Sequence, residues 1–171
     1  GFRVFREVNA SGSLIKETQL DYVMPRELSL NTVATALLYQ HDGTTYIGLQ
    51  DDDFPAVQCF VGHSNLLVAP AWRLPRTAND LLALESFTTD VLGEQHGLKV
   101  KQFFTLGGPY YPSAGATPEI VYPYAVEVEP ANQTPPEPLI WIPIEEVAEG
   151  LSGYQDGHLR VLASRVFRAM H

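Results

Sequence analysis

The stretch Trp72 to Leu98, WRLPRTANDLLALESFTTDVLGEQHGL, constrains the fold most, because it encodes a helix with a marked start and a marked stop. Leu81, Leu84, Phe87 and Val91 recur at spacings of three and four, which predicts an amphipathic helix with these residues on its apolar stripe. Asn79 or Asp80 can accept the unpaired N–H groups of the first turn, and Gly97 stands just past the end, where a left-handed residue closes a helix.

The rest of the chain is arranged around this helix. Phe2 to Val8 alternates apolar and polar residues, Asn9 to Ser13 carries turn chemistry, and Leu14 to Val23 resumes the strand pattern, so a hairpin ended by Pro25 is expected. Thr32 to Tyr39 is nearly all apolar, as in a central strand, and His41-Asp42-Gly43 turns it into a partner over Thr44 to Leu49. Asp51-Asp52-Asp53 reads as a solvated turn. A metal site there is disfavoured, since successive strand residues point to opposite faces. Val57 to Val68 is strand-like around Gly62, with Cys59 in its apolar part. Strands are expected over Lys99 to Leu106 and Glu119 to Val128, separated by a glycine- and proline-rich loop. A proline-rich connection, Glu129 to Pro138, leads to a short strand over Leu139 to Pro143, and Ile144 to Leu151 begins a helix. Asp156 is the expected N-cap of a last helix carrying Leu159, Leu162, Val166 and Met170 on one stripe. Strands, a helix, more strands and a closing helix give an α+β order rather than alternating βαβ units. With 171 residues and 45% hydrophobic content, one domain is expected.

Eleven Lys and Arg stand against 20 Asp and Glu, a net charge of -9, which offers no general attraction to nucleic acid or to an anionic membrane. The single cysteine makes no internal disulfide, and no secretory leader or apolar run of about 18 residues is apparent, so the cytoplasm is the expected compartment. His41, His63, His96, His158 and His171 lack zinc-like spacing, and Gly62-His63-Ser64-Asn65-Leu66 lacks the last glycine of a nucleophile elbow. No phosphate-binding or dinucleotide-binding glycine motif is present.

Several pieces taken together carry a resemblance. Leu74-Pro75-Arg76-Thr77 precedes the helix, which closes as Asp90-Val91-Leu92-Gly93-Glu94-Gln95-His96-Gly97-Leu98. Trp72-Arg73-Leu74-Pro75 lies before it, Tyr110-Tyr111-Pro112-Ser113-Ala114-Gly115 with Glu119 after it, and Trp141-Ile142-Pro143 and Gly153 to Leu162 further on. In order and spacing the chain resembles the Nudix hydrolases, in their ADP-ribose pyrophosphatase-like branch, with a degenerate Nudix box. The resemblance implies a Nudix fold: an α/β/α sandwich with a mixed β-sheet, the Nudix helix, a C-terminal helix and an N-terminal β-hairpin. It covers residues 1–171 as one domain, 1–30 a hairpin that could form a dimer and 31–171 the core.

It also implies Mg²⁺ or Mn²⁺ if the protein is active, a nucleotide-like small-molecule ligand and a homodimer. The cation would be held by helix carboxylates at two positions that here carry Val91 and Gln95, while Asp90 takes the place of an arginine and Glu94 keeps a carboxylate. With the register shifted by one residue before Gly97, Asp90 and Glu94 form an i, i+4 pair able to ligate a cation; otherwise they form a solvated acidic face. Glu119 corresponds to a base or metal partner, and Glu94 is the other candidate catalytic residue. Tyr110 or Tyr111 could stack on a flat ring, and Arg73 and Arg76 could hold a phosphate or carboxylate without metal. Two functions follow: a protein that kept ligand binding while metal-dependent hydrolysis weakened or was lost, or an active pyrophosphohydrolase of substrates such as ADP-ribose.

Overall fold

The computed structural model of the chain describes residues 2–21, 29–54, 65–114, 117–131 and 137–170. The expected strand around Cys59 and Gly62 and the Pro25 boundary lie outside them. Strands β1 (Phe2–Val8) and β2 (Leu14–Asp21) pair antiparallel as a two-stranded sheet of their own. Asn9 builds their turn: its Oδ1 accepts the N–H groups of Ser11 at 3.0 Å and Ser13 at 2.9 Å.

The main sheet contains β3 (Thr32–His41), β4 (Thr44–Asp53), β5 (Asn65–Val68), β6 (Ala71–Arg73), β7 (Leu98–Thr105), β8 (Val121–Pro130) and β9 (Ile140–Pro143). Its path runs β5-β4-β3-β8-β7, with β6 on β3 and β9 on β4. β3 and β8 are parallel and the other pairs antiparallel, so the sheet is mixed. The apolar run of β3 is central, as its composition predicts, with residues 32–37 buried. Buried Thr35 fits there because its N–H and hydroxyl both donate to the Pro70 carbonyl at 2.9 Å.

Asp51, Asp52 and Asp53 do not turn. They continue β4 and pair with Leu67, Leu66 and Asn65 of β5. A partner strand along this edge satisfies their backbone groups, and that pairing overrides the turn preference of aspartate. Gly48 of β4 is required by close approach, since a Cβ there would lie 2.9 Å from the Trp141 ring on β9.

Helices α1 (Leu81–His96), α2 (Ile144–Glu149) and α3 (Gly157–Met170) cover the sheet. Side chains alternate across it. Ala34, Ala36, Val121 and Ala125 pack with Leu159, Leu162 and Val166 on one face; Val33, Leu37, Tyr124 and Val126 pack with Leu84 and Leu92 on the other. The result is the expected α/β/α sandwich. No helix among the described residues is long and apolar enough to cross a membrane.

The ends of α1 are as the sequence predicts. Asp80 is the N-cap, with Oδ1 accepting the Ala83 N–H at 2.8 Å, and Gly97 closes the helix at φ 59°. Its buried stripe is rotated from the expected one: Leu84, Thr88, Leu92 and His96 face inward, while Leu81 is 53% exposed. Two polar residues join the core because each finds a carbonyl. Thr88 Oγ1 donates to Leu84 O at 2.8 Å, and His96 Nδ1 lies 2.7 Å from Glu137 O.

Candidate active-site cleft

The sheet splits beside β3. β4 pairs with the half of β3 from Leu37 to His41, and β6 with the half from Thr32 to Ala34. Beyond Gly48, β4 leaves β3 and takes β5 as its partner. The chain passes from β5 to β6 through Ala69-Pro70, with the Pro70 carbonyl fastened to Thr35. A cleft of about 500 Å³ opens at this split, lined by residues of β3 to β6, the end of α1, the approach to β8 and the start of α3.

α1 contributes Gln95. Its Oε1 accepts the indole N–H of Trp72, on β6, at 2.9 Å, and its backbone carbonyl accepts the Glu137 N–H at 3.0 Å. Next to it, the His96 ring lies 5.9 Å from that of Trp72. A carbonyl can only accept, so His96 carries its proton on Nδ1 toward Glu137 O.

Glu119 stands just before β8. The Thr32 hydroxyl donates to its Oε1 at 2.6 Å, and Arg73 Nη2 lies 3.5 Å from its Oε2. Arg73 also donates through Nη1 to Leu30 O at 3.3 Å. The carboxylate is the more enclosed partner, 13% exposed against 36% for the guanidinium, so Arg73 keeps a solvent-facing side in the cleft.

The far wall is the start of α3. Asp156 takes three backbone N–H groups, those of Leu159 at 2.8 Å, Ala69 at 3.0 Å and His158 at 3.2 Å. It caps the helix and ties it to the end of β5 at once. His158 lines the cleft, with Nδ1 2.6 Å from the hydroxyl of Tyr110. Arg165 lies 5.5 Å over the Tyr110 ring and donates to Leu106 O and Gly108 O at 2.8 and 2.7 Å. Desolvation of Tyr110 by burial, reinforced by the negative charge of Asp156, pushes the phenol above its ordinary value, so it keeps its proton.

No sequence family profile matches the chain, and no curated protein matches it by sequence. Solved structures do. A NUDIX hydrolase from Nitrosomonas europaea is similar at a TM-score of 0.55 and 14% identity, over 81% of this chain and 88% of that one. An ADP compounds hydrolase is similar at a TM-score of 0.61 and 12% identity, over 99% of this chain and 85% of that one. The fold is that of the Nudix hydrolases. At these identities the likeness establishes the architecture, and the chemistry must be argued from the side chains.

Of the sequence-predicted site residues, Arg73 and Glu119 come together in the cleft of this Nudix fold. Asp90 and Glu94 are exposed on α1, and Gln95 is the residue of that helix that lines the cleft. Arg76 is exposed in the turn before α1, and Tyr111 is 60% exposed. Tyr110 stands behind His158 rather than among the lining residues.

The resemblance puts Gln95 at a cation-holding position, without foreseeing its bond to Trp72; Trp72, Asp156 and His158 were missed as cleft residues. Trp72 was visible as part of the resemblance and Asp156 as an N-cap. Nothing in the sequence ties His158 to Tyr110.

Nudix hydrolases generally use a divalent metal such as Mg²⁺, which prefers several carboxylate or carbonyl oxygens. Among the described residues, no three His, Cys, Asp or Glu side chains group so as to hold a metal ion. At the helix, the cleft receives a neutral amide whose oxygen already accepts an indole N–H. Asp52, Glu119, Glu137 and Asp156 also line the cleft, but among the described residues no three of them converge, so this donor set does not fit a hard divalent cation.

Proposed function

We propose that this Nudix-fold protein binds a nucleotide-like or other anionic ligand in the cleft, and that its metal-dependent hydrolysis is weak or lost. The observation that carries this reading is the 2.9 Å hydrogen bond from Trp72 Nε1 to Gln95 Oε1. The resemblance gives position 95 to a cation-holding carboxylate; here the position serves an intramolecular hydrogen bond. Val91, at the other such position, donates nothing.

The remaining polar groups support binding. Of the carboxylates that line the cleft, Asp156 is occupied by three N–H groups and Glu119 by Thr32 and Arg73, which reduces their repulsion toward an anion, while Asp52 and Glu137 keep their charge and favour a seat for the anion beside Arg73 and His158. Arg73 and His158 offer donors, while Trp72 and Phe54 line the same cleft and supply ring surface for a flat base.

Isothermal titration with ADP-ribose in the presence of EDTA is expected to show binding, and Mg²⁺ or Mn²⁺ is expected to add little turnover. Val91→Glu with Gln95→Glu is expected to gain Mg²⁺ binding. The alternative, an active pyrophosphohydrolase that uses Glu119, wins if the wild type cleaves ADP-ribose with Mg²⁺ and Glu119→Gln abolishes that cleavage.

A further inference from the structure

His158 and Tyr110 are 48 residues apart in sequence, yet they form one of the shortest polar contacts of the cleft, 2.6 Å between the Tyr110 hydroxyl and His158 Nδ1. We propose that Tyr110 is a positioning residue, which donates its hydroxyl proton to Nδ1, and that His158 thereby presents Nε2–H to the ligand as the hydrogen-bond donor of the far wall. The inference rests on the ligand reading above and adds a specific contact to it: the group that meets His158 is an acceptor, such as a phosphoryl, carboxylate or hydroxyl oxygen.

The direction of the Tyr110 bond follows from satisfiability. A phenol has one proton, and Nδ1 is the acceptor in reach. The reverse arrangement, Nδ1–H to the phenol oxygen, would leave the half-buried O–H only solvent to donate to, because among the described residues the hydroxyl has His158 as its protein partner. Burial holds the phenol in its protonated, donating form.

Both partners are fixed from behind. Arg165 lies over the Tyr110 ring and is itself anchored by the carbonyls of Leu106 and Gly108. The backbone N–H of His158 is held by Asp156 Oδ1. With Nδ1 accepting, the ring proton belongs on Nε2, and His158 is a lining residue of the cleft while Tyr110 is not. A histidine whose second nitrogen is so occupied differs from a surface histidine: its tautomer is set before any ligand arrives.

Two measurements test this. Long-range ¹H–¹⁵N spectra of the ligand-free, ¹⁵N-histidine-labelled protein, recorded about two pH units above the ordinary histidine value of about 6.5, should show a bare Nδ1 and a protonated Nε2 for His158. Tyr110→Phe, which keeps the ring and removes one oxygen, should move the signals toward a tautomer mixture. An Nδ1–H tautomer or an imidazolium in the wild type overturns the assignment, whatever the cleft binds.

In titrations with ADP-ribose and EDTA, His158→Ala should weaken binding about tenfold, and His158→Gln, whose amide N–H can replace Nε2–H, should stay within about threefold of wild type. Unchanged binding by His158→Ala overturns the ligand contact. A wild type that binds no ADP-ribose yet keeps the expected tautomer sinks the nucleotide reading and leaves the Tyr110–His158 assignment standing.

Discussion

The two long helices that reach the cleft both begin with an aspartate cap and use it differently. Asp80, at the start of α1, is exposed and accepts the Ala83 N–H. Asp156, at the start of α3, accepts three N–H groups, one of them from Ala69, which is 87 residues away and follows β5 directly. The first cap is a local device; the second joins a helix to the sheet at the edge of the cleft. The polar groups that the helices bring to the cleft follow the same division. α1 reaches it with its last turn and a neutral amide, whereas α3 reaches it with its first turn, a committed carboxylate and an imidazole.

Capping substitutions test this contrast most directly. Asp156→Ala removes a cap and also strands the N–H of Ala69, so a loss of about 3 kcal/mol is expected. Asp80→Ala should cost about 1 kcal/mol, the usual value of one exposed cap. Urea denaturation of both variants decides the matter: equal losses would mean that the Ala69 bond contributes nothing and that the two caps are alike.

Both caps, the glycine stop of α1 and the central strand β3 were legible in the sequence, because each is written in residues close together along the chain. The inward face of α1 was not. Spacing arguments count apolar residues, and they assign Leu81 to the core in place of Thr88 and His96, whose burial depends on carbonyls at Leu84 and Glu137. The aspartates of β4 misled for a similar reason, since their backbone partners on β5 are distant in sequence. β6 is three residues long, too short to carry a periodic signal. In the cleft, Arg73 and Glu119 were visible as candidates, yet the contacts that orient Glu119, Gln95 and His158 join residues 87, 23 and 48 positions apart. Local patterns do not encode such pairs.

The amide wall can be sharpened next. Gln95→Leu leaves the Trp72 indole N–H without its acceptor in a half-buried position and should destabilise the protein by about 1.5 kcal/mol. Gln95→Glu retains an acceptor for the indole and should cost clearly less. Thermal melts of the two variants compare them. If Leu and Glu are tolerated equally, the Trp72–Gln95 bond is incidental, and position 95 has not been taken over by a structural role.

The smallest effect belongs to the imidazole wall and appears only in alkali. Burial raises the Tyr110 phenol above its ordinary value of 10.0, so the folded protein holds that proton after the unfolded chain has released it. Where the native state binds more protons than the unfolded state, stability falls as pH rises. The contribution of Tyr110 is therefore complete below pH 10.0 and is lost progressively above it. Tyr124 and Tyr154, also raised by burial, add to the same decline and persist in a Tyr110→Phe variant. Stability measured between neutral pH and the alkaline range should thus fall less steeply in Tyr110→Phe than in the wild type, with the curves parallel below pH 10.0. Identical slopes would show that folding does not favour the protonated phenol over the phenolate, and would leave the bond to His158 resting on its geometry alone, since an unshifted phenol still holds its proton at neutral pH.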